Sequence, residues 1–316
     1  MRALVTGASG FAGSHLCEHL LGQPGGEVYA VCLAACSTEN LDPVRERLTI
    51  LSGDLLEASW AAEIVAQVRP EAVFHLAALS SPQASFVDPW GTLANNIAVQ
   101  LHLFEAIRQA GIDPVVLAVG SGEEYGMVRP AEVPVDEDTP LRPANPYAVS
   151  KVTQDYLALQ YHISYGLRTV RVRPFNHIGP RQALGFVTSD FAQQIAEIEA
   201  GRRPPVVRVG NLAARRDFTD VRDIVRAYSL AVTRGEPGAV YNIGSDTAVS
   251  IEEILGCLLR LSSAAIRVET DPARMRPSDV PLLVCDSARF RQRTGWAPHI
   301  PLEQSLRDIL DYWRGR

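Results

Sequence analysis

Tyr147 and Lys151 stand four residues apart in the run Tyr147-Ala148-Val149-Ser150-Lys151. The run opens a helical pattern, so the two side chains fall on one face, a turn apart. A nearby ammonium favours the tyrosinate and lowers a phenol pKa that is ordinarily about 10. That makes Tyr147 a general acid/base usable near neutrality. A third partner is expected on the loop after a strand at Pro114–Val119, which reads Gly120-Ser121-Gly122-Glu123-Glu124-Tyr125-Gly126. Ser121 can donate a hydrogen bond to a carbonyl oxygen on which charge develops during hydride transfer. Glu123 stays open, as a general base or as a polar loop residue. Taken alone, Tyr-x-x-x-Lys is a frequent chance match; a nucleotide-binding turn ahead of it changes its weight.

That turn lies at the start of the chain. A short apolar strand, Arg2–Thr6, runs into Gly7-Ala8-Ser9-Gly10-Phe11-Ala12-Gly13 and then an amphipathic stretch to Leu21. Gly7 permits a tight turn, Gly10 lets backbone N–H groups approach a pyrophosphate, and Gly13 lets the helix pack closely on the sheet. The helix N-terminus adds a positive end for phosphates. Asp54-Leu55 follows the third strand, where the carboxylate either meets an adenine amine or caps the next helix. His75-Leu76-Ala77-Ala78 ends the fourth strand with small residues that let a ribose–phosphate lie close. An acid after the second strand would select NAD and an arginine NADP; Leu33-Ala34-Ala35-Cys36 offers neither. Use of both NADPH and NADH is therefore expected.

The elements that must position these residues alternate. Strand patterns at Glu27–Leu33, Arg47–Leu51, Ala72–Leu76 and Pro114–Val119 are separated by helical ones at Ala58–Val68 and Thr92–Ala110. A long helix from Pro146 to about Tyr165 precedes a strand at Thr169–Arg173. The alternation predicts an α/β fold, a Rossmann-type doubly wound parallel sheet covered on both faces. After Pro174 proline, glycine and arginine concentrate. Helices at Ser189–Ala200, from Val221, from Ser250 and from Leu302, with strands near Val240–Ile243 and Ile266–Glu269, predict a smaller C-terminal α/β substrate-binding lobe. The division is 1–173 for the dinucleotide-binding domain and 174–316 for that lobe, interleaved.

The 316 residues are 47% hydrophobic and 21% charged, an ordinary globular composition. A net charge of −6 argues against a nucleic-acid partner. Five cysteines, Cys17, Cys32, Cys36, Cys257 and Cys285, form no CxxC pair. The odd count suits no disulfide framework, no metal is expected, and a reduced cytoplasmic setting is the simple reading. Neither signal peptide nor membrane span is expected.

With the glycine turn, Ser121, Tyr147-x-x-x-Lys151 and Arg173-Pro174-Phe175-Asn176-His177-Ile178-Gly179-Pro180 quoted together, the chain resembles the extended short-chain dehydrogenase/reductase family over essentially its whole length. These are nucleotide-sugar epimerases, dehydratases and reductases. The C-terminal runs Gly185–Thr188, Val209–Leu212, Arg216–Asp223 and Arg276–Val280 are similar to the GDP-sugar branch. The resemblance implies NAD(P)H-dependent reduction of the 4-keto group of GDP-4-dehydro-6-deoxy-D-mannose to GDP-D-rhamnose (GDP-6-deoxy-D-mannose). GDP-mannose 4,6-dehydration, or another nucleotide-sugar epimerase or reductase activity, is the alternative.

It also implies roles for residues. Phe11, Ala12, Leu55, Leu76, Ala77, Ala78 and Phe175 would line the dinucleotide site. Ser121, Glu123, Asn176 and Val187 would meet the sugar nucleotide, and Asp279 its ribose, although Glu is usual there. Arginine forks suit a diphosphate, and Arg216 and Arg276 are read in loop contexts where binding residues concentrate. Surface ion pairing is the alternative for Arg216–Asp217 and Arg222–Asp223. Glu123 occupies the position of the dehydratase acid/base. Against dehydration stand the missing arginine-rich loop after the second strand, the run Arg216-Asp217-Phe218-Thr219-Asp220, the short chain, and Ser121 where dehydratases have threonine. A dinucleotide sensor without turnover usually lacks the tyrosine or lysine, and both are here. Finally, the helical runs Thr92–Ala110 and Pro146–Tyr165 carry Leu101, Phe104, Tyr156, Leu159 and Tyr161 at positions read as outward. They predict a homodimer through a four-helix contact.

Overall fold

The computed structural model describes residues 1–275 and 280–316. The first lobe follows the alternating pattern: β1 (Arg2–Thr6), α1 (Phe11–Leu21), β2 (Glu27–Cys32), β3 (Thr49–Ser52), α2 (Ala58–Val68), β4 (Ala72–His75), α3 (Pro82–Val87), α4 (Pro89–Gln109), β5 (Val115–Val119), α5 (Pro146–Tyr165) and β6 (Thr169–Pro174). The strand expected from Arg47 starts at Thr49 instead. Residues Glu39–Arg47 form a 3₁₀ segment around Pro43, a residue with no N–H to give a sheet.

Beyond β6 come β7 (Asn176–Ile178), α6 (Val187–Glu199), β8 (Val206–Val209), β9 (Arg215–Asp220), α7 (Val221–Arg234), β10 (Val240–Ile243), β11 (Ala248–Ser250), α8 (Ile251–Leu261), β12 (Arg267–Thr270), β13 (Leu282–Leu283), α9 (Ala288–Thr294) and α10 (Leu302–Arg314).

The main sheet has seven parallel strands in the order β10-β6-β5-β4-β1-β2-β3. The chain leaves β1 toward β2 and β3, then returns to lay β4 on the other side of β1. That reversal is the switch point at which open α/β sheets bind ligands. Strand β10 comes from the C-terminal region and pairs with β6, Val240 opposite Arg171. Both faces are covered. On one, Leu16 and Leu20 of α1 and Ile224 and Tyr228 of α7 pack with Phe290 and Trp296. On the other, Ile64 of α2, Leu103 and Phe104 of α4 and Ala158 and Tyr161 of α5 close the core.

Two residues expected to face outward are core residues. Phe104 and Tyr161 are buried, their rings 5.1 Å apart between α4 and α5. Leu101 and Leu159 are half-buried, and Tyr156 is exposed. The outer face of α5 is carried instead by Val149, Tyr156 and Ile163, all exposed and spaced by seven residues. In the second lobe α6, α8 and α10 pack together through Phe191, Ile195, Ile254, Leu258, Leu306 and Ile309. No described helix is long and apolar enough to cross a membrane.

Candidate active site

The glycine turn sits in the crevice between the ends of β1 and β4. Gly7 has φ +68°, and a Cβ there would lie 2.9 Å from the Ala77 amide nitrogen. At Gly13 a Cβ would stand 2.1 Å from the Gly7 carbonyl oxygen, so only glycine lets α1 come this near the turn. Helix α1 starts at Gly10 without a side-chain cap or an acidic residue in its first turn. Its N–H groups and positive end thus remain for an anion. Thr6 fixes the facing strand end: its Oγ1 accepts hydrogen bonds from the Leu76 and Ala77 amides at 3.2 and 3.1 Å.

A cavity of about 590 Å³ runs from this turn to the end of β5. It is lined by Gly7, Gly10, Phe11, Ala12, Gly13, Asp54, Leu55, Leu76, Ala77, Ala78, Ser121, Glu123, Tyr147, Lys151, Phe175, Asn176 and Val187. Residues read from widely separated motifs therefore share one crevice. Asp54 does not cap α2, whose N-cap is Glu57; its carboxylate accepts from the Leu56 amide at 2.8 Å. The crevice, the glycines that alone fit it and the uncapped helix end suit a dinucleotide.

Asn145 and Pro146 start α5 as cap and first-turn proline, the Asn145 side chain accepting from the Ala148 amide at 2.8 Å. That start fixes Tyr147 and Lys151 on the buried face. Lys151 is the only lysine among the thirty basic residues of the chain. Its Nζ donates to the Val119 carbonyl at 2.9 Å and lies 5.9 Å from the centroid of the Tyr147 ring. Burial pushes the ammonium down to about 8, with Glu124 opposing. The phenol does not show the lowering that a neighbouring ammonium led us to expect. Burial pushes it up, as do the Glu123 and Glu124 carboxylates, and only the Ser121 hydroxyl pulls it back. Ser121 Oγ accepts from the Glu123 amide at 3.1 Å, and Glu123 Oε2 accepts from Asn145 Nδ2 at 3.1 Å.

A second cavity of about 510 Å³ adjoins the first and shares Glu123, Asn176 and Val187 with it. Arg216 lines it, though from strand β9 and not from a loop. Asp217 is no surface partner of Arg216: it is buried and accepts from the Ser245 and Asp246 amides at 2.7 and 2.9 Å. Arg222 pairs with Asp220 and Asp308 at 2.8 and 2.6 Å, leaving Asp223 to Arg226. Arg276 and Asp279 lie outside the described residues. Sequence reasoning missed Arg274, which lines the second cavity beside Arg216, and Tyr228, which lines the first. It also missed Glu124 behind Ser121. The Asn145-Pro146 pair, a helix-start signature, was the one readable sign among the missed positions.

The family model described as GDP-mannose 4,6 dehydratase matches residues 4–309. A GDP-6-deoxy-D-mannose reductase of Pseudomonas aeruginosa is 38% identical over 315 residues, covering 100% of this chain and 98% of that protein. The solved structure of RMD from P. aeruginosa complexed with NADPH has a TM-score of 0.86 at 34% identity, covering 100% of this chain and 99% of that one. The Thermus thermophilus UDP-glucose 4-epimerase complex with NAD has a TM-score of 0.89 at 31% identity, with 100% and 99% covered. The chain belongs to the GDP-mannose 4,6-dehydratase family, within the extended short-chain dehydrogenase/reductases.

Proposed function

We propose that the protein reduces the 4-keto group of GDP-4-dehydro-6-deoxy-D-mannose with NADPH or NADH, giving GDP-6-deoxy-D-mannose (GDP-D-rhamnose). The observation that carries the reading is the convergence of Ser121, Tyr147 and Lys151 on the crevice lined by the glycine turn. The full-length likeness to a relative that is a GDP-6-deoxy-D-mannose reductase supports the choice of substrate.

Gly7, Gly10, Gly13 and the N-terminus of α1 would hold the diphosphate of the dinucleotide, and Asp54 its adenine end. A reduced nicotinamide held there would supply the hydride for C4 of the sugar. Tyr147 donates its phenol proton to the 4-oxygen, on which charge develops as C4 is reduced. Ser121 donates a hydrogen bond to the same oxygen and stabilises that charge. Lys151 would hold the nicotinamide ribose, and its ammonium offsets the tyrosinate left behind. Burial holds the phenol proton in place until the oxygen needs it. Phe175 lines the dinucleotide part of the crevice, Asn176 and Val187 flank the sugar, and Arg216 meets the diphosphate of GDP from the second cavity.

One observation favours a second reading. Glu123 lines the crevice with Ser121 and Tyr147, where a carboxylate could take the C5 proton in a 4,6-dehydration. Offering GDP-, UDP- and dTDP-linked 4-keto-6-deoxy sugars with reduced cofactor tests the proposal. The GDP sugar should be reduced with much the highest kcat/KM, and equal use of all three would contradict it. In assembly the protein is a homodimer formed by α4 and α5 of two copies, a reading supported by the exposed stripe Val149, Tyr156 and Ile163. Sedimentation should show a species twice the 34.4 kDa chain. Only the monomer at micromolar concentration would refute it.

A further inference from the structure

Glu124 has a role to fill that the reaction as drawn leaves open. It is fully buried, one position from Glu123, in a loop whose Gly120, Ser121 and Glu123 line the crevice. A buried carboxylate is costly unless it is paired or hydrogen-bonded. One oxygen is satisfied by the loop itself: Oε1 accepts the Ser121 backbone N–H at 2.7 Å, while the Ser121 side chain caps the same turn. The other, Oε2, lies 3.1 Å from Arg173 Nε. That contact is an ion pair without a hydrogen bond, because the Nε hydrogen goes to Asp155 Oδ2 at 2.9 Å; Asp155 Oδ1 accepts from Arg171 Nη1 at 2.6 Å. Asp155 is one turn beyond Lys151 on the buried face of α5.

The arrangement joins both halves of the catalytic set. Ser121 hangs on Glu124 through its amide. Lys151 and Tyr147 feel the Glu124 carboxylate through space, and each holds its proton more firmly for it. The charged and titratable groups that Glu124 interacts with are Tyr147, Lys151 and Asp155 from α5 and Arg173 from β6. Arg173 is fixed from its far side, because Nη1 donates to the Tyr125 hydroxyl at 3.0 Å, and that hydroxyl donates to Asn242 Oδ1 of β10 at 2.7 Å. The carboxylate therefore has little freedom to move. Nor can the loop shift without breaking its bond to Ser121. A Cβ at Gly120 would stand 2.3 Å from Oε1, so the neighbouring position is left open for this carboxylate.

We propose that Glu124 is a positioning residue: its buried carboxylate holds Ser121 at the crevice through the backbone amide and supplies the negative charge that keeps a proton on Lys151. The inference rests on the assignment of Ser121, Tyr147 and Lys151 as the reacting set. Burial and Asp155 push the Glu124 carboxyl up, against Arg173 and the Ser121 amide. That places its ionisation at about 8, the same range as the Lys151 ammonium, so its charge acts on the ammonium as both groups titrate.

The single lysine makes the charge directly observable. Full-length protein carrying ¹³C-lysine has one lysine side-chain signal, and its midpoint of titration is that of Lys151. In Glu124→Gln the amide oxygen still accepts from Ser121 N–H while the charge is gone, so the midpoint should fall by about one pH unit. The alkaline limb of kcat/KM for 4-keto sugar reduction should move with it. Glu124→Ala removes both functions and should lower kcat at least about tenfold more than Glu124→Gln, with KM little changed. An unmoved lysine midpoint in Glu124→Gln overturns the electrostatic half of the proposal. A Glu124→Ala kcat equal to that of Glu124→Gln overturns the positioning half. If Glu124→Ala does not fold, a wild-type kcat at the pH optimum in Glu124→Gln supports hydrogen-bond positioning and a tenfold loss contradicts it. The lysine signal does not depend on turnover, so failure of the wild-type enzyme to reduce the sugar, with the midpoint shift intact, would count against the reaction and not against this coupling.

Discussion

Lys151 Nζ donates to the Val119 carbonyl at 2.9 Å and lies 5.9 Å from the Tyr147 ring centroid, so one cation ties the strand end to the helix face. A lysine reaches this carbonyl as a compact point charge, while the fork of an arginine spreads its donors and holds its proton at every working pH. The rest of the chain uses arginine for all its other basic side chains. The exception lies at the position to which the proposed reaction assigns a cation.

The proton donor is the first point to test. Tyr147→Phe keeps the ring and the buried packing but removes the phenol proton. Its kcat should fall by at least about 10²-fold, the low end for general acid catalysis. Cofactor affinity, followed by nicotinamide fluorescence, should stay nearly unchanged. Turnover at the wild-type rate would remove Tyr147 from its role.

The glycine turn makes a steric prediction. In Gly13→Ala the added Cβ would meet the Gly7 carbonyl oxygen at 2.1 Å, backbone against backbone, with no side chain able to give way. The helix must move off the turn. A stability loss of about 1–3 kcal/mol, the ordinary cost of overpacking, should accompany weakened dinucleotide binding. Denaturant titration and cofactor fluorescence check both, and unchanged values would show that α1 is not held where its N-terminus is needed.

Stability should fall on acidification because of His75. This imidazole is buried beside Thr6, and burial pushes its pKa from 6.5 down to about 3, with Lys151 acting in the same direction. A base depressed in the folded state binds its proton only after unfolding throughout the window between the two values. Stability is therefore lost as pH falls from about 6.5 toward 3, with a slope from this group of about 1.4 kcal/mol per pH unit. Urea unfolding of wild type and His75→Asn at pH 6.5, 5.5 and 4.5 checks it. The wild type should show the steeper decline, and parallel declines would contradict the assignment.

Cofactor choice follows from the segment after β2. Leu33 and Cys36 line the crevice and carry neither a carboxylate to repel a 2′-phosphate nor a guanidinium to grip one. The nearby Arg45 is engaged with Asp42 and Thr38 at 3.2 and 2.6 Å. Discrimination needs a repulsive element as well as an attractive one. The ratio of kcat/KM for NADPH and NADH should be under about tenfold, a difference of ~1.4 kcal/mol. A ratio above a hundredfold either way would reveal a discriminating contact.

What was legible in the sequence was local. The Gly7–Gly13 turn and the Tyr147–Lys151 spacing are written within seven residues each, and their geometry follows from one turn and one helix face. Glu124 and its partners were not legible, because Arg173 and Asp155 reach it from another strand and another helix. Nothing in the loop Ser121–Gly126 says which of two adjacent glutamates turns inward. Phe104 and Tyr161 were misassigned for a related reason: α4 and α5 bury apolar rings against each other and against the sheet, so an apolar position alone does not tell which side it serves. Arg216 read as a loop residue because β9 is largely polar and its described partners β7, β11 and β13 are two or three residues long, too short for sequence periodicity to register.

The reductase reading meets its most direct test when purified protein and NADPH are given GDP-4-dehydro-6-deoxy-D-mannose and, separately, GDP-mannose, with products followed by NMR and cofactor by absorbance. The account predicts one NADPH oxidised per 4-keto sugar consumed, GDP-6-deoxy-D-mannose as the product, and GDP-mannose left unchanged even with NADP⁺ present. Conversion of GDP-mannose to the 4-keto sugar without net change in cofactor, and no reduction of the 4-keto sugar, would contradict it and give Glu123 the acid/base role of a dehydratase.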